Sequence, residues 1–192
     1  GLGKSIQEIT KPRSDGDKKY DTATFYSISN CQEGLSRVTL GNFLIKRVVF
    51  EIQEELPNIK HFGTLSPIPG FRDWFSYLED VKIKNILGEI PLENISFLKS
   101  TDLKVGDPRI VSNKEAITKL VAHYLMNEKN HKQLPINDVC RFHLGNGAII
   151  DDIVINANVS EVGLNRSFGV MVNYLYELKN IEKNHEEYIN NK

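Results

Sequence analysis

Apolar residues recur with helical spacing in three stretches of the chain and crowd into strand-like runs between them. From Phe43 to about Leu56, the positions Ile45, Val48, Val49, Ile52 and Leu56 fall at i, i+3, i+4 and i+7, the spacing of one helix face. Asn42 is a good N-cap for this helix and Pro57 stops it. Before it, Thr22–Ser29 is dense in β-branched and aromatic residues and reads as a strand. After it, His61–Ser66 reads as a second strand. Strand, glycine-bearing loop, helix, strand is a βαβ unit, which requires a parallel pair with a right-handed crossover. Phe71, Trp74, Phe75, Leu78 and Val81 then predict a helix from Phe71 to Leu87. Residues 88–113 carry two prolines and several glycine or asparagine breaks, a loop-rich connector with one or two short helices. Ile117, Leu120, Val121, Tyr124 and Leu125 predict a strong helix over Lys114–Lys129.

The last third reads as β. Val139–Leu144 alternates, and Gly145-Asn146-Gly147 is a hairpin turn signal. Ala148–Val159 follows as a long strand, bulged at Asp151-Asp152, and Gly169–Tyr176 as another. Weak helical spacing at Ile6 and Ile9 opens the chain, and 12–20 is a polar loop. The charged tail from Glu177 to Lys192 reads as a helix or a frayed end. The fold class is therefore α/β (α+β), a mixed β-sheet with flanking helices, in a single domain of 192 residues.

Charge changes the picture only by exclusion. A formal net charge of −1 gives no electrostatic case for nucleic acid or an anionic membrane, and no apolar run approaches a membrane span. Cys31 and Cys140 fit neither a disulfide framework nor a zinc site. A reducing compartment is the default expectation, although one bridge between them is possible in principle. No histidine pair has metal-ligand spacing, and Glu51, Glu54 and Glu55 read as a solvated helix face.

Three features carry candidate chemistry. In Leu65-Ser66-Pro67-Ile68-Pro69-Gly70-Phe71, a serine ends a strand just before a stiff turn. The residue before a proline is pushed to extended geometry, two prolines fix φ, and Gly70 permits a sharp turn. This is either a plain structural turn or a rigid mount that aims one hydroxyl. The loop 30–42, with Gly34 and Gly41, leads into a helix N-terminus, where backbone N–H groups and the helix dipole favour a pyrophosphate. It matches neither a Walker loop nor G-x-G-x-x-G, so an ordinary βα loop is the other reading. His143, with Arg141 on one face of its expected strand and Phe142 and Leu144 on the other, is either a structural histidine or a site residue. His61, His123, His131 and His185 have no special context, and His123 reads as a solvated or capping residue.

Taken together these motifs resemble the C-terminal catalytic domain of the malonyl-CoA decarboxylase family. The residues that carry the resemblance are Phe25-Tyr26-Ser27-Ile28-Ser29 and Gln32-x-Gly34-Leu35-x-x-Val38-x-Leu40-Gly41-x-Phe43-Leu44-Ile45-Lys46-Arg47-Val48-Val49. To these are added Leu65–Phe71, Phe142-His143-Leu144-x-Asn146-Gly147-Ala148 and Asn173-Tyr174-x-Tyr176. The match is close over 22–75 and looser over 114–176. It implies a sheet similar to that of the GNAT acyltransferases, with Ser66 and His143 as the catalytic pair. By the same analogy Ser36, Arg37, Val38, Thr39, Leu40, Gly41 and Asn42 line the coenzyme A site, together with Ser66 and His143.

The implied substrate and product are malonyl-CoA and acetyl-CoA. A thioester is its own electron sink, so no metal or organic cofactor is expected. What the reaction does require is stabilisation of an enolate oxygen, worth roughly 3–4 kcal/mol per good donor, and positioned proton transfer, worth about 10²–10⁴-fold. His143 is expected to donate to the enolate oxygen or carbon, with Ser66 holding the malonyl group and sharing the proton relay. Two other readings share the scaffold, an acyl-CoA N-acyltransferase and a non-catalytic acyl-CoA-binding remnant. Family members form homo-oligomers through an N-terminal helical domain that this sequence lacks. They occur in mitochondria, peroxisomes and cytosol, and Asn190-Asn191-Lys192 is not a Ser-Lys-Leu-type signal. The sequence departs from the family pattern at Asn158, where an Asp is expected, and in a shorter connector between Phe71 and Cys140. It also begins inside the catalytic domain, so a sheet edge is expected to be left uncovered and Gly1–Lys192 alone to be poorly stable or inactive.

Overall fold

A computed structural model describes residues 1–11, 20–26 and 41–190, with side chains from residue 45 onward in the last stretch. The chain divides into two compact units. The first comprises Gly1–Ser66, Phe142–Asp152 and Asn173–Lys192, and the second Pro67–Arg141 and Ile153–Val172.

The first unit holds the expected βαβ arrangement. Strand β1 (Thr22–Phe25) pairs in parallel with β2 (His61–Pro67), with Thr22 opposite His61 and Phe25 opposite Thr64. Between them runs helix α2, Gly41–Glu55. It starts one residue before Asn42, so Asn42 lies within its first turn. Ile45 and Val49 are buried, as the spacing predicts, while Leu56 is exposed just past the helix end. Glu51, Glu54 and Glu55 are exposed, and Arg47 pairs with Glu51 one turn on.

The four strands form one mixed sheet in the order β1-β2-β4-β3, with β3 at Ile149–Val154 and β4 at Met171–Tyr176. Gly63 in β2 is a close-approach position. A Cβ there would lie 2.3 Å from the Leu2 side chain and 3.0 Å from the Tyr174 carbonyl. Helix α1 (Ile6–Thr10) is capped by Ser5, whose hydroxyl accepts from the Glu8 amide.

The second unit is helical. The expected helix Phe71–Leu87 is two, α3 (Phe71–Ser76) and α4 (Asp80–Leu87). Phe71, Phe75 and Leu78 share a buried face, then Glu79 turns extended and the register restarts at Ile83 and Leu87. Val81 is consequently solvent-facing and not part of the stripe. The connector contains α5 (Glu93–Ser96), a 3₁₀ turn (Phe97–Lys99) and α6 (Pro108–Ser112). Helix α7 (Lys114–Met126) buries all five of its predicted apolar positions.

The last third departs most from expectation. Val139–Leu144 is not a strand but part of helix α8, Asp138–Gly145. Asn137 caps it, its side-chain oxygen accepting from the Cys140 amide at 2.9 Å, and Asp138 supplies the favoured acid in the first turn. Gly145-Asn146-Gly147 is therefore a helix end, not a hairpin turn. Gly147 takes the left-handed conformation (φ +79°) that commonly closes helices. The strand expected over Ala148–Val159 stops at Val154, and helix α9 (Glu161–Ser167) follows, capped by the Ser160 hydroxyl. The tail forms α10, Ile181–Ile189. Among the described residues no helix is long and apolar enough to cross a membrane.

Candidate active site

Strand geometry places Thr64 and Ser66 on one face of β2, and Tyr174 and Tyr176 on one face of β4, since alternate residues share a face. Helix α8 presents His143 to both pairs. Ser66 Oγ lies 3.0 Å from His143 Nε2 and 2.8 Å from Thr64 Oγ1. The other ring nitrogen, Nδ1, lies 2.8 Å from the Tyr176 hydroxyl. The Tyr174 ring stacks on the imidazole at 4.4 Å between centroids, inclined by 23°. All of these residues belong to the first unit.

The site is dry. His143 is 2% exposed and Ser66 5%, while Thr64, Tyr174 and Tyr176 are fully enclosed. Burial penalises a charged imidazole and lowers the His143 pKa to about 3, so the ring is neutral at physiological pH. Burial likewise raises the phenol of Tyr176 above its ordinary value, so it keeps its proton. A neutral imidazole carries one N–H and one acceptor nitrogen, and each has a hydroxyl facing it. The arrangement is a row of four groups, Tyr176, His143, Ser66 and Thr64, along which protons can shift without any group becoming charged at rest.

The helix that carries His143 is held at its C-terminal end. The His143 carbonyl accepts from the Asn146 and Ala148 amides. From α10, the Asn184 side chain donates to the Gly147 carbonyl at 3.1 Å, and His185 Nδ1 bonds the Gly145 carbonyl at 2.6 Å. The last carbonyls of α8 thus find partners in place of water.

Ser66 and His143, 77 positions apart in the sequence, are brought together as expected, though His143 comes from a helix and not a strand. Of the residues expected to line a coenzyme A site, Ser36, Arg37, Val38, Thr39 and Leu40 lie outside the described residues. Gly41 and Asn42 open α2. Tyr176 and Thr64 were not singled out from the sequence as site residues. Tyr176 sits in the motif Asn173-Tyr174-x-Tyr176, whose two-residue spacing in a strand is the signal that both rings face one way. Thr64 carries a similar signal, two residues before Ser66.

His61 is exposed and lines a cleft with Lys60, Tyr176 and Lys179. His123, in the second unit, stacks on Trp74 and bonds Glu128. Asn158 is bonded to Ser160, also in the second unit. Cys140 is buried, its thiol donating to the Leu125 carbonyl at 3.8 Å, and Cys31 lies outside the described residues. Among the described residues no group of three or more His, Cys, Asp or Glu side chains is arranged to hold a metal ion.

Comparison with known proteins gives a consistent result. The family described as malonyl-CoA decarboxylase C-terminal domain matches residues 1–192. The mitochondrial malonyl-CoA decarboxylase of Rattus norvegicus is 38% identical over 214 residues, taking in 100% of this chain and 43% of the rat protein. That of Anser anser anser is 36% identical over 213 residues, again 100% of this chain and 42% of the goose protein. The crystal structure of malonyl-CoA decarboxylase from Rhodopseudomonas palustris superposes with a TM-score of 0.86 at 37% identity, over 98% of this chain and 44% of that one. The chain thus spans less than half the length of the relatives it matches. With one family description running from Gly1 to Lys192 and a solved relative folding the same way over nearly all of it, the chain belongs to the malonyl-CoA decarboxylase family, in its C-terminal domain.

Proposed function

We propose that the protein of which this chain is part decarboxylates malonyl-CoA to acetyl-CoA and CO₂, with Ser66 and His143 carrying the proton chemistry. The observation that supports this most directly is the 3.0 Å approach of Ser66 Oγ to Nε2 of a buried, neutral His143. In the reaction the bond between the α-carbon and the carboxylate carbon breaks, and its electron pair passes into the thioester as an enolate. The carbon then takes a proton. The thioester accepts the electrons itself, so the residues only have to meet the oxyanion and deliver that proton. Ser66 offers the O–H that meets the developing charge, and His143 resupplies it. An enclosed site favours loss of the compact carboxylate charge, which bulk water would otherwise solvate. The first turn of α2 and the residues before it are the proposed pyrophosphate contact, through backbone N–H groups at a helix start.

The test is to supply the full-length protein with malonyl-CoA and follow acetyl-CoA and CO₂ together. Ser66→Ala and His143→Ala are each expected to lose about 10²–10⁴-fold in kcat while still binding coenzyme A. Transfer of the intact malonyl group to an amine, with free coenzyme A formed and no CO₂ released, would instead identify an acyltransferase. Full activity in both variants would remove Ser66 and His143 from the mechanism.

A further inference from the structure

Resting on the decarboxylase reading above, we propose that α10 sets the place of His143, and that His185 is the positioning residue through which it acts, by holding the Gly145 carbonyl at the end of α8.

The last four carbonyls of α8 belong to Phe142, His143, Leu144 and Gly145, and a helix offers such carbonyls no partners of its own. Backbone amides just past the helix take three of them. Asn146 bonds Phe142, Asn146 and Ala148 bond His143, and Gly147 bonds Leu144. Gly145 is the exception. Among the described residues no backbone amide reaches its carbonyl, and its partner is His185 Nδ1 at 2.6 Å. A carbonyl only accepts, so Nδ1 carries the proton and donates it.

His185 belongs to a stripe. Ile181, Asn184, His185 and Tyr188 fall at i, i+3, i+4 and i+7, one face of α10. On a helix packed against an apolar core such a stripe is apolar. Here it is half polar, because it meets a helix end. The Ile181 carbonyl oxygen lies 2.1 Å from where a Gly147 Cβ would stand, and the Asn184 side chain donates to the Gly147 carbonyl at 3.1 Å. Tyr188 Cε1 lies 3.7 Å from the Cβ position of Gly145. Glu182, Lys183, Glu186 and Glu187 take the exposed face.

The sheet fixes Ser66 and Tyr176, but α8 is not part of the sheet. The place of His143 therefore depends on what ties its helix down. Helix α10 follows Tyr176 after only the turn Glu177–Asn180, closed by the Asn180 amide on the Glu177 carbonyl. The path from β4 through α10 and His185 thus ends at Gly145, about 3 Å of helix rise from the residue whose ring Tyr176 and Ser66 bond. A misplacement of about 1 Å in an active site can cost on the order of 10²-fold in rate. Loosening this tie costs turnover and not substrate affinity.

The test uses the full-length protein and two readouts. His185→Leu removes the donor, and His185→Asn keeps an N–H where Nδ1 stood. The first readout needs no turnover. The ¹⁵N resonances of the His143 ring, assigned by their loss in His143→Gln, report its bonds to Ser66 and Tyr176. They should move in His185→Leu and return towards the wild-type positions in His185→Asn. The second is kinetic. His185→Leu is expected to lower kcat for malonyl-CoA about tenfold or more with KM little changed, and His185→Asn to restore it. This loss should vanish in a Ser66→Ala background, because the tie acts through the Ser66–His143 pair. A merely structural role would lower both backgrounds by the same factor. Unmoved His143 resonances or unchanged kcat in His185→Leu, or an equal loss with and without Ser66, overturns the proposal. If His185→Leu does not fold, His185→Ala, which leaves room for a water on the Gly145 carbonyl, is judged by the same criteria. Wild-type protein that releases no CO₂ sinks the decarboxylase reading, and the ring resonances then decide alone on His185.

Discussion

The Tyr176 hydroxyl lies 2.8 Å from Nδ1 of His143, on the side of the ring away from Ser66. A carboxylate in that position would stabilise an imidazolium and raise the histidine's pKa. A phenol that burial keeps protonated does neither, so the ring stays neutral while its orientation is fixed. Tyr176→Phe keeps the packing and deletes only the oxygen, leaving Nδ1 buried without a partner. The expected cost is about 1–3 kcal/mol of stability, read from urea unfolding. A fall in kcat with little change in KM is expected alongside, because the ring loses the group that sets its tautomer. Unaltered stability and kcat would mean that stacking on Tyr174 alone holds the imidazole.

Burying a neutral histidine makes the fold sensitive to acid, and the sign follows from the two states. Between the ordinary histidine pKa of about 6.5 and the folded value of about 3, the unfolded ring binds a proton that the folded ring does not. Stability is therefore complete above the unfolded pKa and falls as pH drops through this window, by about 1.4 kcal/mol per pH unit. Asp21, Asp107 and Glu128 have lowered pKa values and add their own acid sensitivity lower in the range. The useful quantity is thus a difference. Urea midpoints of the wild type and His143→Gln, measured from pH 7 to pH 4, should converge as pH falls. Parallel curves would show that His143 charges in the folded state.

Gly147 closes the helix that carries His143, and two separate features forbid a side chain there. Its φ is +79°, and a Cβ would stand 2.1 Å from the Ile181 carbonyl oxygen at the start of α10. Gly106 is a control, with φ +73° and nothing within 4 Å of its Cβ position. Gly106→Ala should cost only the backbone term, about 1 kcal/mol. Gly147→Ala should cost at least about 3 kcal/mol by urea unfolding, since backbone must shift as well. The proposed decarboxylase activity should fall in Gly147→Ala and not in Gly106→Ala. Equal losses in the two would show that α10 yields easily.

The contrast between α2 and α8 shows what the sequence makes legible. Helix α2 buries Ile45 and Val49, and apolar residues at helical spacing announce it directly. Helix α8 buries Cys140 and His143, also one turn apart, but the polar histidine stands where a period search looks for an apolar residue. What remained visible was the alternation from Val139 to Leu144, which is strand-like only because the buried face is partly polar. The caps held the correcting signal: Asn137-Asp138 is a helix start, and Gly147 is as ordinary after a helix as in a hairpin. Helix α9 was missed because it is short and holds Gly163, a poor helix former. Ser66 was readable because its stiff turn is local. The partners of His143 were not, since Thr64 and Tyr176 gain meaning only when β2 and β4 lie in one sheet.

Phe168 offers a test of packing against backbone strain in the second unit. It caps α9 in the left-handed conformation, φ 55°, which costs an ordinary residue roughly 1–2 kcal/mol. The ring sits edge-on to Phe71 and Phe75, each at 5.9 Å, with the Arg72 guanidinium 5.3 Å above it. Phe168 is fully buried, and the packing gain outweighs the strain, because truncating a buried Phe typically costs about 3–5 kcal/mol. Phe168→Ala loses the ring and keeps the strain. Phe168→Gly loses the ring and relieves the strain, at the cost of a more flexible unfolded chain. At most buried positions glycine is the worse replacement. Here Phe168→Gly should be at least as stable as Phe168→Ala, and both well below the wild type, in urea unfolding at pH 7. A glycine variant about 1 kcal/mol less stable than the alanine one would show that the left-handed cap stores no strain, and that α9 ends where it does for packing alone.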